Sequence, residues 1–112
     1  MKRVEAIIPQ SKMTDAFSAL KELNIGGFTY YDSKGKGANP PAQVHAGRGT
    51  SLYTPEFNAN LTIFTVVDDS LVDQVVNKIL ASTSTGLAGE GKIFISDVDE
   101  AIDIGTKSKE KT

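Results

Sequence analysis

Cysteine and tryptophan are absent from this 112-residue chain, and histidine occurs once. Without cysteine there is no disulfide framework, no thiolate nucleophile and no thiolate metal ligand. A lone histidine, His45, cannot supply the clustered His/Cys spacing of a structural zinc site. No apolar run approaches the roughly 18 residues of a membrane-crossing helix, and the first residues lack the apolar core of a signal peptide. The expectation is therefore a soluble cytoplasmic protein that is not inserted in a membrane. An excess of basic residues is missing too. The net charge of −2 and a pI near 5.3 argue against a nucleic-acid-binding face. The length fits one domain, which at this size buries roughly two-thirds of its unfolded surface.

What the chain does have is glycine in the right company. In Thr85-Gly86-Leu87-Ala88-Gly89-Glu90-Gly91-Lys92, three glycines crowd ahead of a lysine and a short apolar run. Residues without a Cβ let successive backbone N–H groups turn inward around an anion. Lys92 adds a point charge at the edge of such a nest. The spacing partly meets G-x-x-x-x-G-K-[ST], but Ile93 stands where the Mg²⁺-binding hydroxyl belongs, and the turn leads from a helix into a strand, the reverse of a P-loop. An ordinary helix-to-strand turn remains the alternative at this point.

Around this turn the periodicities alternate. Arg3 to Ile8 reads as a central strand, and Ser11 is placed to cap a helix with Met13, Ala16, Phe17, Leu20 and Leu23 on one face. Asn24 and Gly26-Gly27 close that helix. Phe28 to Ser33 reads as a second strand, with Tyr30 and Tyr31 on opposite faces. From residue 34 to 58 glycines and prolines erase the pattern, too long an excursion for a hairpin and usually a functional one. Leu61 to Val67 is a third strand. Asp68 or Asp69 caps a second helix carrying Leu71, Val72, Val75, Val76, Ile79 and Leu80 inward. Ile93 to Ile95 is a fourth strand, and residues 97–104 are expected to form a helical turn and a last edge strand.

The order β-α-β, long loop, β-α-β predicts an α+β, ferredoxin-like βαββαβ fold with an antiparallel sheet, two helices on one face, and a long loop between strands two and three. The other sheet face, assigned here to Phe28, Tyr30, Ile63 and Thr65, asks for a cover. A closed homo-oligomer is expected to provide it.

With these elements placed, the chain resembles the P-II signal-transduction family. The resemblance is carried by Met1-Lys2-Arg3-Val4-Glu5-Ala6-Ile7-Ile8, by Gly27-x-Thr29, by Lys34-Gly35-x-Gly37, by Arg48-Gly49, and most specifically by the segment from Thr85 to Phe94. It covers residues 1–106, leaving 107–112 as a flexible tail. It implies a homotrimer with adenine nucleotide (ATP, ADP or AMP) in clefts between subunits. It also implies an exposed T-loop, about residues 36–58, that docks on a target protein such as a membrane transporter or an enzyme of nitrogen metabolism. Carried over, Gly89, Glu90, Gly91 and Lys92 would hold phosphates, and Gly27, Thr29, Gly35, Gly37 and Val66 would line base and ribose. Val44, His45, Arg48, Leu52 and Tyr53 would face the target.

Departures from the family pattern qualify that expectation. Ala38-Asn39 replaces an Arg-Gln pair, so Asn39 is the weak candidate left to reach Mg²⁺. Asn60 stands where a lysine would face 2-oxoglutarate. Each lost charge-assisted hydrogen bond removes roughly 1.5–3 kcal/mol, so a weak 2-oxoglutarate response is expected. Asp103 and Gly105 replace two arginines of a phosphate clamp, and Asp103 would repel a triphosphate if it points into the cleft. Leu52 stands at the place of a modified tyrosine, with Tyr53 next to it.

Plainer readings stand beside these. An isolated loop histidine is usually just solvated. Lys34, Lys36 and Arg48 make a mildly basic loop, and Asp97, Asp99, Glu100 and Asp103 a surface acidic cluster that could host a cation. The competing functions are a nucleotide-hydrolysing or nucleotidyl-transfer enzyme, for which no nucleophile–base pair is visible and Glu90 is alone, and a CutA-like structural or cation-binding trimer.

Overall fold

The computed structural model describes residues 1–37, 44–45, 52–53, 56–87 and 91–109. In chain order the elements are β1 (Lys2–Pro9), α1 (Met13–Lys21), β2 (Thr29–Gly35), β3 (Val44–His45), β4 (Leu52–Tyr53), β5 (Asn58–Val67), α2 (Val72–Thr83) and β6 (Lys92–Asp97). The main sheet has the order β2-β5-β1-β6, and every neighbouring pair is antiparallel. β1 and β2 therefore run the same way with β5 inserted between them. That is the split βαβ arrangement of a ferredoxin-like fold.

Alternation along the strands decides where the core sits. Val4, Ala6 and Ile8 of β1 are buried. They lie beside Thr65, Ile63 and Leu61 of β5 in register. Over this face α1 lays Ala16 and Leu20, and α2 lays Val75 and Ile79. Fully burying one side chain such as Leu20 or Leu61 is worth about 1.5–3 kcal/mol relative to leaving it in water. The outer members of the expected helix stripes stay partly in solvent, with Met13 at 37% and Leu80 at 47% exposure.

Register overturns one expectation. Ile63 and Thr65 point under the helices rather than to the uncovered face, and Tyr30, opposite Ile63, packs on Phe17 of α1 at 4.8 Å between ring centroids. Phe28 meets the same Phe17 ring at 5.4 Å. The uncovered face instead carries the other parity: Arg3, Glu5 and Ile7 of β1, Thr62, Phe64 and Val66 of β5, Thr29, Tyr31 and Ser33 of β2, and Lys92, Phe94 and Ser96 of β6.

Local details differ as well. Ser11 caps nothing. It lies inside a 3-10 turn, Gln10–Lys12, and α1 begins after Lys12 without a side-chain cap. The turn takes the chain from strand to helix directly, so the serine falls too early to reach the first free N–H groups. Asp68 caps only the 3-10 turn Asp69–Leu71 that leads into α2, accepting from the Ser70 N–H at 3.0 Å, and α2 itself begins after Leu71 without a side-chain cap. β2 and β5 extend into the expected loop until Gly35 pairs with Asn58, and within the loop β3 and β4 form a two-residue ladder, Val44 with Tyr53 and His45 with Leu52. Beyond β6 there is no regular edge strand among the described residues. An isolated bridge joins Ile102 to Lys109 instead.

Candidate functional site

The glycine-rich turn enters β6 across the end of β1. A Cβ placed on Gly91 would lie 2.5 Å from the Ile7 carbonyl oxygen, so only glycine lets the turn sit this close to the strand. Lys92, the next residue, is the first of β6 to pair, opposite Ile7. Gly86 opens the turn with φ of +86°, a conformation that side chains rarely adopt. Gly89 and Glu90 lie outside the described residues, as do Asn39 and Arg48. Behind the turn, between α2 and β6, is a cavity of about 370 Å³ whose walls include Leu80, Leu87 and Ile95, with Gly91 and Lys92 at its edge.

The remaining expected binding residues are distributed by the register. Gly35 ends β2 beside Asn58, at the same end of the sheet as Pro9 and Lys92. A Cβ on Gly35 would be 3.0 Å from the Asn60 side-chain nitrogen, whereas Gly37 has open space around it. Thr29 and Val66 lie further toward the other end, Thr29 opposite Phe64 and Val66 opposite Arg3. Gly27, with φ of +132°, turns its carbonyl to the buried Thr65 hydroxyl, which donates to it at 2.6 Å. None of Gly27, Thr29, Gly35, Gly37 and Val66 borders the cavity at the glycine turn. β2 and β6 are three strand spacings apart in the sheet, roughly 14 Å. Within one chain the expected residues form two groups rather than one pocket.

Ion pairs hold several charges of the sheet and of the loop base. Lys2 pairs with Asp97, Arg3 with Glu5 at 2.7 Å, and Lys36 with Glu56 at 3.9 Å across the base of the long loop. Asp103 turns back on its own segment. Its carboxylate accepts from the Thr106 N–H at 2.9 Å and from the Thr106 hydroxyl at 3.2 Å. Those bonds, the backbone one first, hold its carboxyl below the ordinary carboxylate range. Among the described residues no cluster of histidine and acidic side chains is arranged to hold a metal ion, and no helix is long and apolar enough to cross a membrane.

Three contacts escaped the sequence reading: the Ile7 carbonyl under Gly91, the Ser33–Thr62 hydroxyl pair at 2.9 Å on the uncovered face, and the Arg3 guanidinium lying 3.8 Å above the Phe64 ring centroid. Each depends on cross-strand register.

Fold and turn together define a class: a ferredoxin-like α+β unit with a long loop between β2 and β5 and a glycine-rich entry to its last strand. Comparison with known proteins names the family. The family model described as nitrogen regulatory protein P-II matches residues 1–108. The chain is 45% identical over 109 residues to the nitrogen regulatory protein P-II of Nostoc punctiforme, covering 97% of this chain and 96% of that protein. The Synechocystis sp. protein of the same name is 43% identical over 110 residues, covering 98% and 96%. The nitrogen regulatory protein P-II 1 of Escherichia coli is 38% identical over 106 residues, covering 95% and 93%. The chain belongs to the P-II family. It is thereby a regulatory protein and not an enzyme, which removes the hydrolase and transferase alternative.

Proposed function

We propose that this protein is a cytoplasmic, trimeric nitrogen-signalling regulator, built on residues 1–106, that binds an adenine nucleotide between subunits and signals through its long loop to a target protein. The observation that carries the reading is the division of the expected binding residues. Gly91 and Lys92 border the cavity at the glycine turn, whereas none of Gly27, Thr29, Gly35, Gly37 and Val66 does, and β2 and β6 lie at opposite edges of the sheet. A second copy set against the first supplies from its own chain the group that the first holds out of reach. The uncovered sheet face supports such an assembly, since Tyr31 and Phe94 remain 48% and 50% exposed on it.

In this reading the glycine turn, with Gly89 and Glu90, receives the phosphates and Lys92 supplies their counter-charge. Gly27, Thr29, Gly35, Gly37 and Val66 of the neighbour line base and ribose. The loop between β2 and β5, with Val44, His45, Arg48, Leu52 and Tyr53, meets the target, which is a transporter or an enzyme of nitrogen metabolism. Ligand acts by binding one loop state more tightly than another, because equal affinity for both shifts nothing. Asn60, in contact range of Gly35, offers an amide and no cation, so 2-oxoglutarate binds weakly, and Asn39 is the amide left to reach Mg²⁺.

Titration calorimetry with ATP, ADP and AMP, each with and without Mg²⁺ and 2-oxoglutarate, tests this directly. Binding of at least one adenylate, with little added by 2-oxoglutarate, is the expected result. Absence of heat from all of them overturns the nucleotide assignment. Light scattering is expected to report three chains per particle.

A further inference from the structure

Tyr30 and Tyr31, adjacent on β2, are used differently. Tyr30 turns toward the helix layer and packs on Phe17 at 4.8 Å between ring centroids. Tyr31 turns to the uncovered face, opposite Thr62 of β5. It stays 48% exposed, and among the described residues its ring meets no other aromatic ring. Because β2 is an edge strand, Tyr31 stands at the rim of that face rather than at its centre.

The neighbours of Tyr31 give that free ring a use. Thr29, Tyr31 and Gly35 alternate onto the same side of β2, so Tyr31 lies between two residues assigned above to base and ribose. Thr29 is roughly 7 Å away along the strand, a spacing that an aromatic side chain spans. Val66 lies on the same face of β5 as Thr62 and Phe64. The other two rings of the uncovered face are placed less well. Phe64 is covered by the Arg3 guanidinium, 3.8 Å from its centroid. Phe94 belongs to β6, at the opposite edge of the sheet, two positions from Lys92 and so on the phosphate side. A purine presents two flat faces, and stacking on an aromatic side chain is a main way in which proteins hold a base. We propose that Tyr31 is the stacking platform for the adenine base, a base-contacting residue in addition to those already assigned. This inference rests on the nucleotide reading above and names the ring on which that reading seats the base. ATP, ADP and AMP share the base, so all three gain from Tyr31 by the same factor.

The chain has no tryptophan, so its tyrosine emission can be read directly. Wild type, Tyr31→Phe, Tyr31→Val and Phe94→Leu are titrated with ATP, ADP and AMP by calorimetry, and with ADP by tyrosine fluorescence. Circular dichroism and sedimentation velocity register the folding and assembly of each. In wild type ADP is expected to quench part of the tyrosine emission. Tyr31→Phe keeps a ring and is expected to bind within about threefold of wild type while losing most of that quenching. Tyr31→Val keeps strand propensity without a ring and is expected to lose about tenfold against all three nucleotides alike. Should valine disturb the edge strand, the quenching difference between wild type and Tyr31→Phe decides alone. The proposal is overturned by a Tyr31→Val variant that binds like wild type, by quenching that survives in Tyr31→Phe, or by loss of affinity in Phe94→Leu alone. In each of those cases adenylate still binds and the nucleotide reading stands. A wild type that binds no adenylate removes the nucleotide reading and this proposal together.

Discussion

Gly91 sits so close to Ile7 that a Cβ on the glycine would come 2.5 Å from the isoleucine's carbonyl oxygen. That oxygen belongs to a central strand held on both sides, by β5 and by β6, so it cannot move aside cheaply. Gly91→Ala is therefore expected to cost about 1–3 kcal/mol, the range of forced overpacking. It will also push the glycine turn off the strand and weaken adenylate binding. Gly37→Ala, where nothing lies within 4 Å, is the control and is expected to fall within about 0.5 kcal/mol of wild type. Urea unfolding of the two variants checks the contrast.

Lys92 is exposed and opens β6 opposite Ile7. Lys92→Ala is expected to leave the melting temperature nearly unchanged while weakening adenylate binding by about 1.5–3 kcal/mol, the size of a charge-assisted contact. Calorimetry on the variant decides it. Unchanged affinity would place the phosphates elsewhere.

The Thr65 hydroxyl joins β5 to the turn before β2 through its 2.6 Å bond to the Gly27 carbonyl. Thr65→Val preserves shape and strand propensity but strips that carbonyl of its donor, at an expected cost of about 1–3 kcal/mol. Thr65→Ser, which keeps the hydroxyl, is expected to lose less than the valine variant does. Denaturant midpoints of both variants measure the difference.

Acid is expected to loosen the end of the sheet where β1 begins and β6 ends. The Asp97 carboxyl is held below its usual value chiefly by the hydrogen bond from Lys2, and further by that ammonium's charge. A carboxyl depressed in the folded state stabilises it above the unfolded value, about 3.9, and that contribution disappears as pH falls through the lower folded value. Lys2, raised by the same partner, loses its share only at the alkaline end, as pH rises past about 10.4. Melting temperatures recorded from pH 7 to 2 will fall less steeply for Asp97→Asn than for wild type below about pH 4. Identical slopes would show the pair to be screened out.

The sequence by itself determined the order of the four main-sheet strands and the two helices, the helix stripes, the glycine turn and the long loop, though not the short β3–β4 ladder or the absence of a regular strand after β6 among the described residues. What it determined is written locally, as a period of two or of 3.6, or as residues that break both periods. Ala16, Leu20, Val75 and Ile79 fell where the stripes put them. Only the tertiary structure decided which face each strand residue shows. A local pattern carries the period of two but not its phase, and a shift of one residue in pairing exchanges the faces. Ile63 and Thr65 went under the helices for that reason, and Arg3 and Glu5 came out on the open side. The same holds for the site. Gly91 could be read as permissive from its type alone, but that it must be glycine follows from Ile7, eighty-four positions earlier in the chain, passing beneath it.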